Sequence, residues 1–371
     1  MLYYDNLYDL VFHRHELLRC DEMVVISGYV GPKPVQRIKE IPLKTTVIYG
    51  MYASDGIHKS LYESLVKEEK TIPNLQVFCS TIPVHTKAYL WLYKGEVIHS
   101  LVGSANFSLN GLTTPYKETL AETTADTFKP LEIYRDYVLN KCIPCVNASV
   151  SQTVLQKKKQ DEKIAYNPNV CELPLYLINN GIKMIPSASG INWGMAKLTG
   201  SHVNINDAYI PIPAESADYY PQMFPAKQSA PANLSAVFRE GHRHNDTVEV
   251  IWDDGVEMTV LLEGNRGRSD DNGNKIYYPK QIASSPSKAQ LGKYIRNRLG
   301  VPEGRAITYA DLEQYGRDTI SISLQGEGIY YFDFSANKAW SEKGTMLMTS
   351  YEQNVEPTEM VAEDKVDAWD K

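Results

Sequence analysis

The first 145 residues alternate between two kinds of hydrophobic pattern. Five short β-rich runs are bounded by glycine, proline or polar clusters and predict strands: "EMVVISGYV", "TTVIYGMYA", "NLQVFCS", "VHTKAYLWLY" and "VIHSLVGSA". Two other stretches, "IHKSLYESLVKEEK" and "TFKPLEIYRDYVLNKC", carry apolar residues at helical spacing. The alternation of the two patterns predicts a layered α/β domain over residues 1–150.

The second half of the chain is richer in strand patterns. A polar stretch over 151–171 predicts a linker, and a separate β-rich domain, a barrel or sandwich, is expected over 172–345. "DTVEVIWDDGVEMTVLLEG" and "ISISLQGEGIYYFDFS" each indicate a β-hairpin. Only "SKAQLGKYIRNRLG" and "TYADLEQYG" indicate helices, which end at Gly300 and Gly316. The acidic tail, 346–371, is expected to be disordered.

The net charge does not decide which partner the protein binds, but the cysteine content indicates the cellular compartment. The net charge is −7, yet the last twenty residues hold seven acidic and two basic side chains, so the remainder carries only −2. A nearly neutral body can still present a local basic groove. Five irregularly spaced cysteines, no apolar run of membrane-spanning length and no signal-peptide pattern predict a cytoplasmic protein with reduced thiols that does not enter membranes.

The most informative motif combines His85 and Lys87 with Gly103, Ser104 and Asn106. Period-two alternation places His85 and Lys87 on one face of a strand, and a hairpin would bring Asn106 beside them. An imidazole can attack phosphorus, while an ammonium and an amide NH2 can each stabilise a phosphoryl oxygen. This set of groups indicates a site for phosphoryl transfer.

The His-x-Lys and Gly-Ser-x-Asn pair resembles the half-motif of the phospholipase D superfamily. The resemblance implies a mixed sheet flanked by helices, a covalent phosphohistidine on His85, a second histidine as acid and base, and no metal ion or other cofactor. The aspartate that the lipid-acting branch has five residues after the lysine is replaced here by Leu92. The nuclease branch instead holds its histidine with a downstream glutamate, for which Glu118 is the candidate and Glu122 the alternative.

The chain contains one His-x-Lys motif, whereas the superfamily builds its site from two half-motifs. This difference implies a homodimer formed through the N-terminal domain, in which each chain contributes one half of the site around a two-fold axis.

The second half resembles the B3-like DNA-binding pseudobarrel of restriction endonucleases of the NgoFVII and BfiI type. The resemblance rests on "SGINWGMAKL", "DAYIPIP", "LGKYIRNRLGV", "YGRDTISISL" and "YYFDFS". It implies two arms that read bases in the major groove. The candidate DNA-binding residues are Asn192, Trp193, Lys197, Arg266, Arg268, Lys280 and Gln281. For Trp193 and the two arginines, core packing and a solvated turn are the alternatives, and Arg296 and Arg298 are expected on a charged helix face.

These features together predict a type II-like restriction endonuclease that cleaves double-stranded DNA. One alternative is the nuclease subunit of a complex that needs a separate ATP-driven translocase, and a cognate DNA methyltransferase is a possible partner in either system. The chain has no ATP-binding motif of its own. Another alternative is a sequence-specific DNA-binding protein whose nuclease half is inert. A lipid phosphodiesterase would need two motif copies and the missing aspartate.

Overall fold

The computed structural model describes residues 1–114, 117–150, 169–227, 245–269 and 275–336. Most of the predicted linker and the whole acidic tail lie outside these residues, although Cys171, placed in the linker, is already the first residue of a strand. Within the described residues, no helix is both long and apolar enough to cross a bilayer.

The N-terminal half forms one mixed sheet of eight strands in the order β1-β7-β6-β5-β2-β3-β4-β8. Strands β2, β3 and β4 are parallel and the other pairings are antiparallel. The strands are β1 (Leu2–Tyr3), β2 (Glu22–Ser27), β3 (Lys44–Tyr49), β4 (Leu75–Ser80), β5 (Ala88–Tyr93), β6 (Glu96–Gly103), β7 (Leu120–Glu122) and β8 (Cys142–Pro144). The five predicted strands are confirmed, but β5 begins at Ala88, so His85 and Lys87 precede the strand in which they were predicted.

Helices cover both faces of this sheet. They are α1 (Leu7–His13), α2 (Pro32–Arg37), α3 (Tyr52–Asp55), α4 (Lys59–Thr71), α5 (Leu109–Thr113) and α6 (Phe128–Leu139). Strand β2 is buried on both sides: Met23 and Val25 enter one core, and Val24 and Ile26 enter the other. This double burial explains its continuous apolar sequence, which is typical of central parallel strands.

The C-terminal half is built on a seven-stranded sheet in the order β12-β17-β14-β13-β19-β18-β9. The edge strands β9 and β12 also contact each other, so the sheet curves nearly into a barrel. The strands are β9 (Cys171–Pro174), β12 (Ile210–Pro211), β13 (Asp246–Trp252), β14 (Glu257–Glu263), β17 (Gln281–Ser284), β18 (Thr319–Gly326) and β19 (Ile329–Asp333). Two small hairpins flank it, β10 (Leu177–Asn179) with β11 (Ile182–Met184), and β15 (Arg266–Ser269) with β16 (Lys275–Tyr278).

The predicted hairpins and helices of this half are confirmed. Strands β13 and β14 pair across the turn at Gly255, and β18 and β19 pair across the turn formed by Glu327 and Gly328, which follows Gly326. The helices are α7 (Ser216–Tyr219), α8 (Ala289–Leu299) and α9 (Tyr309–Tyr315), with a 3-10 helix at Gly190–Thr199. Helices α8 and α9 end at Gly300 and Gly316, which adopt the left-handed conformation.

The two halves are packed directly on one another through β13. Ile251 of this strand is buried in the core of the N-terminal domain. The neighbouring Glu249 accepts hydrogen bonds from the backbone N–H groups of Lys33 (2.8 Å) and Leu109 (2.6 Å), at the starts of α2 and α5. The C-terminal domain therefore contacts the elements that surround the end of β2.

Candidate active site

His85 and Lys87 lie together at the end of the sheet where the central strand β2 finishes and its neighbour β5 begins. The Lys87 Nζ is 3.0 Å from His85 Nδ1 and 2.9 Å from Nε2, and it donates to the His85 carbonyl at 2.8 Å. Lys87 is only 5% exposed, whereas His85 is exposed. Burial lowers the pKa of Lys87, and the nearby carboxylates of Glu327 and Glu118 oppose this effect. The arrangement presents a solvent-accessible imidazole beside a buried ammonium group.

The β5–β6 hairpin brings Asn106 to the same place, as predicted. The Gly103 N–H donates to the Lys87 carbonyl at 3.1 Å, which ties the end of β6 to the His-x-Lys segment. The Asn106 Oδ1 accepts from the Tyr29 N–H at 3.1 Å, so the Nδ2 group is directed into the site, where it donates to Glu327 Oε2 at 3.0 Å. His85, Lys87 and Asn106 therefore converge on one position.

The end of β2 supplies three positioning residues that the motif does not contain. The Ser27 hydroxyl donates to the Tyr29 carbonyl (2.6 Å) and accepts from the Phe107 N–H (2.8 Å), which fixes the turn that holds Asn106. A Cβ atom at Gly28 would lie 2.9 Å from His85 Cδ2 and 3.3 Å from Asn106 Oδ1. The available sequence signal was the Ser-Gly-Tyr that follows an apolar strand, because α/β folds bind ligands beyond the carboxyl ends of their strands.

Ser104 and Glu118 lie beside this cluster. The Ser104 hydroxyl accepts from the Thr119 N–H at 3.0 Å and is close enough to the Glu118 carboxyl to lower its pKa. Burial raises the pKa of Glu118, and the Glu327 carboxylate raises it further. The alternative residue, Glu122, is instead paired with the Tyr3 hydroxyl (2.7 Å) and Arg14 (3.2 Å). Of the two candidates, Glu118 therefore lies beside the cluster and Glu122 is paired elsewhere.

The predicted exposed loop of the second half is a 3-10 helix, and the expectation that Asn192 is exposed is wrong. Asn192 is 1% exposed, and its amide donates to the Pro186 and Ile307 carbonyls and accepts from the Ile307 N–H. These bonds use the groups that would read a base, so Asn192 holds two segments together. Trp193 is half-buried and packs against Tyr209, while Lys197 is exposed.

The basic residues near the β15–β16 hairpin differ in their surroundings. Arg268 pairs with Asp218, and Arg266 donates to the Ile212 carbonyl at 3.0 Å. Gln281 donates to Glu263 at 3.1 Å, whereas Lys280 is exposed. On the DNA-free surface, Lys197 and Lys280 are therefore the most accessible of the predicted DNA-binding residues.

The expectation that Arg296 and Arg298 form a charged helix face is also wrong. Arg296 is 1% exposed and makes long hydrogen bonds to three backbone carbonyls. Arg298 is ion-paired with Asp253 at 2.8 Å. Both arginines stabilise α8 within the domain, because aliphatic stems and planar guanidinium groups can bridge packed segments.

Comparison with known families matches both halves. Residues 5–152 match the NgoFVII restriction endonuclease N-terminal PLD domain, and residues 169–325 match the NgoFVII C-terminal B3-like DNA-binding domain. No curated protein gives a significant match. Similar solved structures include NucT from Helicobacter pylori (18% identity, 39% of this chain and 97% of that chain, TM-score 0.30). They also include a polyphosphate kinase from Porphyromonas gingivalis (14% identity, 41% of this chain and 24% of that chain, TM-score 0.27). The family models confirm both resemblances inferred from the sequence.

Proposed function

We propose that this chain, which belongs to the NgoFVII restriction endonuclease family, cuts double-stranded DNA through a phosphohistidine on His85, without a metal ion. As a member of that family it is a site-specific deoxyribonuclease with a phospholipase D nuclease domain and a B3-like DNA-binding domain. The observation that supports this mechanism best is the convergence of exposed His85, buried Lys87 and the directed amide of Asn106. Sequence selection is assigned to the C-terminal domain.

In the proposed first step, a ring nitrogen of His85 attacks the phosphorus atom, forming a P–N bond as one P–O bond of the DNA backbone breaks. The leaving oxygen takes a proton from His85 of the partner subunit. In the second step the same partner imidazole removes a proton from water, which attacks the phosphorus and releases the first His85. Lys87 and Asn106 stabilise the charge on the non-bridging oxygens.

The roles of the remaining residues follow from their positions. Ser104 contacts Glu118, and we assign this pair to the support of the phosphate site and the imidazole. The homodimer supplies the second histidine, because one chain contains a single His-x-Lys motif. For DNA contact we propose exposed Lys197 and Lys280 first, with Trp193, Arg266, Arg268 and Gln281 reached after local rearrangement.

The test is cleavage of plasmid DNA in EDTA by the wild-type protein, His85→Ala and the control His202→Ala, which alters an exposed histidine. We expect discrete fragments from the wild type and the control, and none from His85→Ala. Denaturation in alkaline SDS during turnover, chosen because acid hydrolyses a P–N bond, should trap a protein–DNA adduct that His85→Ala lacks. Cleavage by His85→Ala, or an active monomer in sedimentation, would contradict the mechanism. DNA binding without cleavage by the wild type would point to an inert nuclease half or a missing translocase.

A further inference from the structure

A turn of the C-terminal domain reaches into the nuclease site. It connects β18 to β19 and carries Glu327, whose Oε2 accepts from Asn106 Nδ2 at 3.0 Å and whose Oε1 is 3.4 Å from Lys117 Nζ. The same carboxylate is close enough to raise the pKa of Glu118. Both oxygens of an anionic group are thus held by donors of the other domain.

The cation at this position, Lys117, is itself oriented by the protein. Its Nζ donates to Asn110 Oδ1 at 2.6 Å, and Asn110 Nδ2 donates to the Thr247 carbonyl at 3.0 Å. Lys117 directly precedes Glu118 and is only 23% exposed at its side chain. An ammonium held at a fixed position beside a directed amide NH2 makes an anion-binding site, whichever anion fills it.

The turn is shaped to deliver one carboxylate. A Cβ atom at Gly326 would lie 2.8 Å from the Tyr29 ring, and one at Gly328 would overlap Asn110. Gly328 also has a φ of +72°, which disfavours other residues. Its carbonyl accepts from the Glu249 N–H at 2.9 Å, which anchors the turn on β13. Glycine on both sides therefore lets the backbone approach the nuclease domain closely enough for Glu327 to reach Asn106.

We propose that Lys117 is a further phosphate-binding residue of the nuclease site, and that in the DNA-free protein Glu327 occupies its phosphate position and competes with the DNA backbone. This inference rests on the proposed function. An interdomain cavity of about 710 Å³, lined by Tyr29, His58, Lys117 and Glu327, adjoins the position and leaves room for an incoming strand. Removing the carboxylate strengthens phosphate binding, and removing the ammonium weakens it.

The test uses the full chain, bis(p-nitrophenyl) phosphate as a small diester that needs no sequence recognition, and inorganic phosphate as a competitor. For Glu327→Gln we expect the KM and the phosphate inhibition constant to fall about three- to tenfold, the usual range for one charged contact. For Lys117→Gln both should rise by a similar factor, and Lys117→Arg should recover most of the loss. Glu313→Gln and Lys39→Gln, which alter exposed residues, are the charge-matched controls.

Phosphate binding to the His85→Ala background, measured by calorimetry, separates this inference from the proposed mechanism. One outcome is that His85→Ala abolishes turnover, while adding Glu327→Gln or Lys117→Gln to His85→Ala leaves phosphate binding unchanged. The proposed phosphodiesterase mechanism would then hold, and the proposed competition between Glu327 and phosphate would be refuted. If His85→Ala still turns over the diester, the mechanism fails, and the calorimetric comparison still decides whether Glu327 fills a phosphate position. Unchanged constants accompanied by a lower Tm in Glu327→Gln would reduce Glu327 to a domain contact.

Discussion

Replacing Glu249 with glutamine tests whether one buried carboxyl makes the domain contact sensitive to pH. Glu249 is 2% exposed and accepts from the Lys33 and Leu109 N–H groups, with Glu257 as an acidic neighbour. Burial raises its pKa from the usual 4.5 to about 7, an effect that the two N–H donors and Lys33 only partly oppose. The folded protein therefore binds a proton here more tightly than the unfolded chain does.

The magnitude follows from linkage between proton binding and folding. Because the folded pKa lies above the unfolded value, the stabilisation is fully present below pH 4.5 and is lost as the pH rises through 7. A difference from 4.5 to about 7 corresponds to about 3 kcal/mol, at about 1.4 kcal/mol per pH unit. Glutamine cannot ionise, so Glu249→Gln lacks this pH-dependent loss. Its own cost, an amide NH2 facing a backbone N–H, is about 1–3 kcal/mol and independent of pH.

The assay is urea unfolding followed by tryptophan fluorescence at intervals from pH 5 to pH 9, for the wild type, Glu249→Gln and the control Glu313→Gln. We expect the stability of Glu249→Gln relative to the wild type to rise by about 3 kcal/mol across this range, while the control runs parallel to the wild type. Parallel curves for all three proteins would refute the assignment. A difference of the opposite sign would mean that the carboxylate, rather than the carboxyl, is the form that the two N–H donors favour.

Two further predictions concern the site and its support. Glu118→Gln should lower the rate of diester hydrolysis by about tenfold or more, whereas Glu122→Gln should hydrolyse the diester at the wild-type rate, because only Glu118 lies beside Ser104. Equal losses in the two variants would contradict the assignment of Glu118. Asn192→Ala should destabilise the protein by about 2–3 kcal/mol in urea unfolding, because it leaves buried carbonyls and an N–H unpaired. Weaker DNA binding at unchanged stability would instead support the DNA-binding role predicted from the sequence.

The nuclease motif was predictable because its geometry is local. His85 and Lys87 are two residues apart, and a single hairpin carries the chain from Lys87 to Asn106. Alternation along an extended segment and the pairing of β5 with β6 are enough to bring the three side chains together. The segment need not be a strand for this, which explains why the site survives the shift of the β5 boundary to Ala88.

The residues that sequence reasoning missed are joined across long stretches of chain. Glu327 meets Asn106 over 221 positions, and Ser27 meets it over 79. The Glu327 contact depends on how the two domains pack, and the Ser27 contact depends on how β2 lies beside the β5–β6 hairpin; hydrophobic periodicity specifies neither. Asn192 was wrongly expected to be exposed for the same reason. The glycines near it indicate a loop, but its burial is determined by the Ile307 backbone, 115 positions away.

Gly28 offers a way to disturb the catalytic geometry while leaving the fold in place. A Cβ atom there would be 2.9 Å from His85 Cδ2 and 3.3 Å from Asn106 Oδ1, both ends of side chains rather than backbone. His85 is exposed and can move aside, so Gly28→Ala should change the Tm little. A displacement of about 1 Å is enough to cost on the order of 10²-fold in rate, so kcat for the small diester should fall by about that factor. A Gly28→Ala protein that keeps its full kcat would show that the ring position seen here is not the one used in catalysis.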